Sequence, residues 1–317
     1  MPTLTIGDRT ARLPIVQGGM AVRISLSPLA TAVANAGGVG VIAGSGLSVE
    51  ELAAEVRKAR EATAGVVGVN VMVAVRKFRE LVRTAMQEGA DIIIAGAGFS
   101  RDVFAWGKEF GVPVVPIVGS VRVAKLSERF GASAVVVEGV EAGGHLGTDR
   151  LMKDLLPEII EAVDIPVIGA GGVVTGADIK EVLDLGAAGV QMGTRFVATT
   201  ECSAPDAFKQ MYVDATPDRI VLIKSPVGLP GRALRNPFWE RTQEGDYPAI
   251  PKCLSCLKEC HKEYCIMNEL EMSQRGDVDN GLVFAGSAAA RIHDVLPVAE
   301  LMVRLEDEWR KAEGQQA

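Results

Sequence analysis

Aromatic residues are scarce: 9 Phe, 3 Tyr and 3 Trp make up 5% of 317 residues, beside 35 Gly. The 48% of the chain that is hydrophobic therefore rests on Val, Ile, Leu and Ala, the residues of buried parallel strands covered by helices. Positive charge is also short, with 33 Lys and Arg against 40 Asp and Glu for a net charge of −7. No basic block or arm stands out, which argues against a nucleic-acid partner. The first residues carry Asp8, Arg9 and Arg12 and no apolar segment of signal-peptide type. One long uncharged run exists, Ile24–Val49, but Pro28, Asn35 and five glycines break it into two short elements, so no membrane span is expected. Cysteines number five, and four of them crowd into Cys253–Cys265. A secreted disulfide scaffold would be smaller and would spread them, so the expected location is the cytoplasm.

What the chain does have is a repeat. Short β-branched runs fall at Leu13–Gln17, Gly38–Ile42, Val66–Val71, Asp91–Ile94, Val114–Val118, Ala134–Val137, Pro166–Ile168 and Gly189–Met192. Patterns of helical period lie between them, among them Glu50–Glu61, Val75–Glu88, Val121–Phe130 and Ala177–Leu185. Gly89, Gly111, Gly131 and Gly186 stand where helices should stop. Eight such units predict an α/β fold of the (β/α)8 TIM-barrel kind over residues 1–223. A doubly wound open sheet would carry a dinucleotide-type glycine loop after its first strand, and Gln17-Gly18-Gly19-Met20 lacks that spacing. Past Asp214 the rhythm fails. Residues 224–285 hold Pro226, Pro230, Pro237, Pro248 and Pro251 with the cysteine cluster, and read as an irregular inserted lobe. Residues 286–317 read as a closing segment, with Ala288–Lys311 patterned as an amphipathic helix that packs back on the barrel.

In such a barrel the chemistry sits in the loops after the strand C-termini. Those loops hold Gln17, Gly18, Gly19 and Met20; Asn70; Glu138 and the run to Gly143, Gly144 and His145; Gly171 and Gly172; and Gly193 and Thr194. The last two rims lie where barrels frequently grip a phosphate, with bare backbone N–H groups and one hydroxyl. No Walker lysine is present, so a monophosphate cofactor is expected, FMN first. His145 is one of three histidines, it falls on that face, and its near-neutral titration suits proton transfer. Glu138 and Glu141, with Lys224, would instead serve a phosphate-dependent isomerase or aldolase. The segment Lys224–Arg232 fits either a cover for the cofactor face or a rigid surface loop.

Four segments carry a family likeness: Pro14–Met20, Glu141–His145, Ile168–Gly172 and Gln191–Phe196. Through them the chain resembles the nitronate monooxygenase (2-nitropropane dioxygenase) family of FMN barrels. It is equally similar to the FMN-dependent enoyl-acyl-carrier-protein reductases. The resemblance implies an FMN-dependent oxidoreductase that oxidises alkyl nitronates with dioxygen, or else a reductase fed by NAD(P)H. It also implies Gly18 and Met20 against the flavin, and Gln17 and Asn70 on its polar edge. Gly171, Gly172, Gly193 and Thr194 would hold the phosphate, with His145 as catalytic acid/base. Gly19, Glu138, Gly143 and Gly144 complete the expected cofactor wall. A small-molecule substrate is the expected partner, and a homodimer the assembly considered.

Cys253, Cys256, Cys260 and Cys265 form a candidate metal site, because thiolates select zinc or an iron–sulfur cluster. Their spacing matches neither the common zinc-finger pairs nor the usual ferredoxin runs. Reduced thiols in a packed loop therefore stay open beside the metal.

Overall fold

The computed structural model describes residues 1–250 and 252–314. Eight parallel strands are Ile15–Gln17, Gly40–Ala43, Val67–Met72, Ile92–Gly96, Val114–Val118, Val135–Glu138, Val167–Ala170 and Gly189–Met192. They pair in chain order from the second to the eighth, and the eighth pairs with the first. The seam between the first and second is closed by a Val16–Val39 bridge. There the Val39 and Gln17 N–H groups donate to the Ile15 and Val39 carbonyls, each at 2.9 Å. The eight units expected from the sequence are all present, as a TIM barrel.

Helix boundaries follow local chemistry. Ser48 and Glu51 form a capping box that starts Val49–Ala62, and Thr175 and Asp178 do the same for Gly176–Asp184. Gly111 and Gly131 end Asp102–Phe110 and Val121–Phe130 in the left-handed conformation, which a side chain resists.

Inside the barrel, Val16, Val39, Val41, Ile92, Ile94, Val115, Val136 and Ile168 form one apolar cluster. Its floor is an element the sequence pattern did not announce, the hairpin of Leu4–Ile6 and Arg9–Ala11, which adds Leu4, Ile6 and Ala11 to that cluster. Larger clusters fill the space between strands and helices.

The closing segment differs from expectation. Instead of one helix over Ala288–Lys311, a single 3-10 turn at Ala289–Arg291 is followed by a helix at Val298–Gly314. Pro297 is the reason: it has no N–H to donate and pushes its predecessor away from helical geometry. The late helix does pack back on the barrel, with Leu305 lying over Gly176.

The lobe is more regular than its composition suggested. Ile220–Lys224 and Pro230–Leu234 form an antiparallel hairpin, and the strand Gly144–His145 joins its edge. Helices Pro237–Gln243 and Ile266–Gln274 follow. Among the described residues no helix is long and apolar enough to cross a membrane; the run Ile24–Val49 folds as helix Ser27–Asn35 and the second strand.

Gly40 shows how closely the layers meet, since a methyl built on it would lie 1.8 Å from the Ala30 carbonyl oxygen. Gly40→Ala should therefore cost about 3 kcal/mol or more, as overpacking against backbone has no side chain to relax. A thermal melt within a few degrees of the parent would contradict that packing.

Candidate functional site

One deep cavity opens at the carboxyl ends of the strands, with about 1420 Å³ of empty space counted out to its mouth. Strand one ends in Gly18, Gly19 and Met20 on its wall, strand three gives Asn70, and strand six gives Glu138. Ala170, Gly171 and Gly172 follow strand seven, and Gly193 and Thr194 follow strand eight. His145, Gly143 and Gly144 line the same space. The imidazole and the glycine rims thus share one end of the barrel and one cavity.

Gln17 stands apart from the expected set. Its side chain is fully buried and turned away from the cavity, into the seam between strands one and two. Its Oε1 accepts the Val41 N–H at 3.0 Å and its amide nitrogen donates to the Gly18 carbonyl. That amide replaces ladder bonds which the short first strand cannot make, and it is absent from the cavity wall.

The glycines divide into two kinds. A methyl on Gly19 would lie 2.4 Å from the Asn70 Cβ, and one on Gly143 would lie 2.6 Å from the Gly286 nitrogen. These two are glycine because the protein itself fills the space. Gly144 meets nothing within 4 Å, and Gly193 only the Met20 side chain at 3.8 Å. A side chain there would enter the cavity, so these positions leave room for a ligand. Gly171 and Gly172 turn the chain after strand seven with φ of +109° and +76°, a path that other residues rarely take.

His145 is held on two sides. Its Nε2 lies 2.8 Å from the Ser225 Oγ, and the Phe284 ring stands edge-on at 5.1 Å between centroids. Burial lowers its titration from the usual range to about 4, so the ring is neutral at pH 7. Glu138 shows the opposite displacement: burial without a charged partner raises its carboxyl to about 7. Glu141 has a different task. Its carboxylate accepts the Met152 N–H at 3.0 and 3.2 Å and caps helix Met152–Ala162. Lys224 is exposed and absent from the cavity wall, so no cavity lysine is available for aldolase chemistry.

Several wall residues were not singled out from the sequence. Phe284, Gly286 and Ala288 reach the cavity from the far end of the chain, and the Gly286 N–H donates to the Thr194 hydroxyl at 2.9 Å. Gln191, the first residue of the segment Gln191–Phe196, is another. It lines the cavity, and its buried Oε1 has no partner among the described residues. Among those residues the wall contains no Lys or Arg.

Of the two readings of the cysteine cluster, the described residues show the free thiols. Among the described residues no three His, Cys, Asp or Glu side chains converge as a metal would require. Cys253 and Cys260 are exposed, Cys256 and Cys265 half-buried, and all four are free thiols. Among the described residues between Tyr247 and Cys265 there is no helix or strand that would aim the sulfurs at one point.

The sequence pattern of the nitronate monooxygenase family matches residues 5–82 and 72–308. A (3aS,4S,5R,7aS)-5-hydroxy-7a-methyl-1-oxo-octahydro-1H-indene-4-carboxyl-CoA dehydrogenase of Mycobacterium tuberculosis is 36% identical over 235 residues, 73% of this chain and 66% of that one. Its namesake in Rhodococcus jostii is 34% identical, with the match spanning 62% of its length. A probable nitronate monooxygenase of Staphylococcus aureus is 28% identical over 75% of this chain and 80% of its own. Among solved structures, FabK from Thermotoga maritima superposes with a TM-score of 0.87 at 31% identity, covering 96% of this chain and 95% of that one. A nitroalkane oxidase from Streptomyces ansochromogenes gives 0.83 at 26%, covering 97% and 98%.

The raised Glu138 carboxyl has a consequence for stability. The folded protein holds this proton more tightly than the unfolded chain, where Glu titrates near 4.3. Stability from this group is therefore full below about pH 4.3 and is lost as pH climbs to about 7. Glu138→Gln should remove that decline and make the ligand-free protein about 1–3 kcal/mol more stable at pH 8. Urea melts across pH 4–8 with the same slope in parent and variant would place the carboxyl in solvent.

Proposed function

The chain belongs to the nitronate monooxygenase family of oxidoreductases, and on that premise we propose that it is an FMN-dependent oxidoreductase with His145 as its proton-transfer residue. One observation carries the reading: the imidazole and the glycine rims of strands seven and eight open onto one cavity at the catalytic end of the barrel.

The residues present fit a flavin monophosphate. Gly171, Gly172, Gly193 and the Thr194 hydroxyl would hold the phosphate through N–H and O–H donors. This suits a wall without Lys or Arg. The unpartnered Gln191 Oε1 and the amide of Asn70 would meet polar edges of the ring, and Gly18 and Met20 would lie against its face. When bound, the flavin supplies the electron transfer. The protein orients a substrate beneath the imidazole, keeps bulk water out with Phe284 and Met20, and moves a proton at the His145 ring.

The proposed substrate is a small alkyl nitronate, oxidised with dioxygen. A second reading, reduction or dehydrogenation of an acyl thioester, is favoured by the cation-free wall. Glu138 and Glu141 there disfavour a substrate that arrives as an anion. NAD(P)H would be the donor in the reducing direction. Identity of 36% to a relative named as a CoA dehydrogenase adds to it.

A visible spectrum of the protein as isolated should show oxidised flavin; a colourless protein that takes up no FMN would end the proposal. Oxygen consumption with a nitronate supports the first substrate class. Anaerobic bleaching by NADH or NADPH followed by re-oxidation with an enoyl thioester supports the second. His145→Ala should lower turnover by about 10²–10⁴-fold while keeping the flavin bound. Loss of the flavin with the imidazole would make His145 a binding residue instead.

A further inference from the structure

We infer that Ser225, carried on the lobe hairpin, is the positioning residue that fixes the tautomer and the aim of the His145 imidazole, an inference that rests on the proposed role of that histidine.

The geometry leaves little freedom. Ser225 is buried, at 6% exposure, in the turn between Ile220–Lys224 and Pro230–Leu234. The turn is closed by the Gly228 N–H donating to the Ser225 carbonyl at 2.9 Å. It is tied from the cysteine-bearing segment as well: the His261 N–H donates to the Pro226 carbonyl at 2.9 Å, and the Tyr264 hydroxyl to the Lys224 carbonyl at 2.9 Å. On the other side, His145 is itself a strand residue of the lobe sheet, paired with Gly231. Ser225 and His145 are thus held by the same three-stranded sheet, 80 residues apart in the chain.

Proton counting then selects one arrangement. The Ser225 Oγ already accepts the Val227 N–H at 3.3 Å, and its only other polar neighbour among the described residues is the His145 Nε2 at 2.8 Å. Were Nε2 the donor, the hydroxyl would accept twice and its own proton would find no acceptor, at a cost of about 1–3 kcal/mol for a buried donor. With the hydroxyl donating to Nε2, the buried Ser225 Oγ is satisfied as donor and acceptor, and the nitrogen left over is Nδ1, which is not sealed inside the protein and can give its proton to a ligand or water in the cavity. The proton of the neutral ring therefore sits on Nδ1, which has no partner among the described residues. Phe284, edge-on to the ring, resists the ring flip that would exchange the two nitrogens. His145 meets its substrate as an Nδ1–H donor, and the substrate atom facing it is an acceptor oxygen of a nitro, nitronate or thioester group.

The test is nitrogen NMR of the holoenzyme labelled with ¹⁵N-histidine at pH 7. The chain has three histidines, so His261→Gln and His293→Gln assign the remaining ring. The parent should show a protonated Nδ1 and an unprotonated Nε2. Ser225→Ala should move the ring toward the opposite tautomer or a mixture, with kcat down about 10–100-fold and KM little changed. Ser225→Thr, which keeps the hydroxyl, should restore both. An Nε2–H tautomer or an imidazolium in the parent overturns the inference, and so does an unaltered tautomer in Ser225→Ala. The parent spectrum decides the tautomer even if the alanine variant folds poorly. The tautomer is read without turnover, so a failed nitronate or thioester assay leaves this measurement standing and bears only on the proposed function.

Discussion

Pairing of Gly144 and His145 with Arg232 and Gly231 is the contact on which the active end depends. The loop after barrel strand six is long and glycine-rich, and by itself such a loop samples many conformations. Added to the edge of the lobe hairpin, it acquires a backbone register, and the His145 ring is carried to a defined height above the barrel mouth. The Arg232 guanidinium reinforces the junction by donating to the Val140 carbonyl at 2.8 and 3.2 Å. The Tyr212 hydroxyl holds the Phe284 carbonyl from the barrel side. The proline-bearing lobe is therefore the second half of the proposed site. The barrel supplies the cradle and the insertion supplies the aim.

Electrostatics in the cavity run opposite to solution chemistry. In water a carboxyl ionises two units below an imidazole. Here burial alone takes Glu138 up to about 7 and His145 down to about 4. Both groups are driven toward their neutral forms by the same cause, burial in a wall with no cation to offset desolvation. A pocket without Lys or Arg leaves the backbone N–H groups of the glycine rims as the donors that the proposed phosphate would meet.

Much of this was legible because it is local. β-Branched runs punctuated by Gly89, Gly111, Gly131 and Gly186 mark buried parallel strands and helix ends, and the barrel follows from counting them. The position of His145, directly after Gly143–Gly144 in the loop that follows a strand end, was legible on the same grounds. Residues contributed by distant chain were not. Ser225, Phe284 and Gly286 join the site through hairpin pairing and the return of the chain, and no spacing rule connects them to residue 145. Gln17 shows another limit. It lies next to Gly18 in the motif, but strand alternation turns its amide into the barrel seam. Gly143 and Gly144 are adjacent and look alike in sequence; only the surrounding atoms reveal that one is filled by Gly286 and the other is open. The turn at Pro297 was readable and was outweighed by the apolar period on either side of it.

The N-terminal hairpin has an effect beyond stability. Leu4, Ile6 and Ala11 stopper the barrel from below, so the cavity is closed at that end and lies toward the carboxyl ends of the strands. Traffic through the amino-terminal end of the barrel is thereby barred.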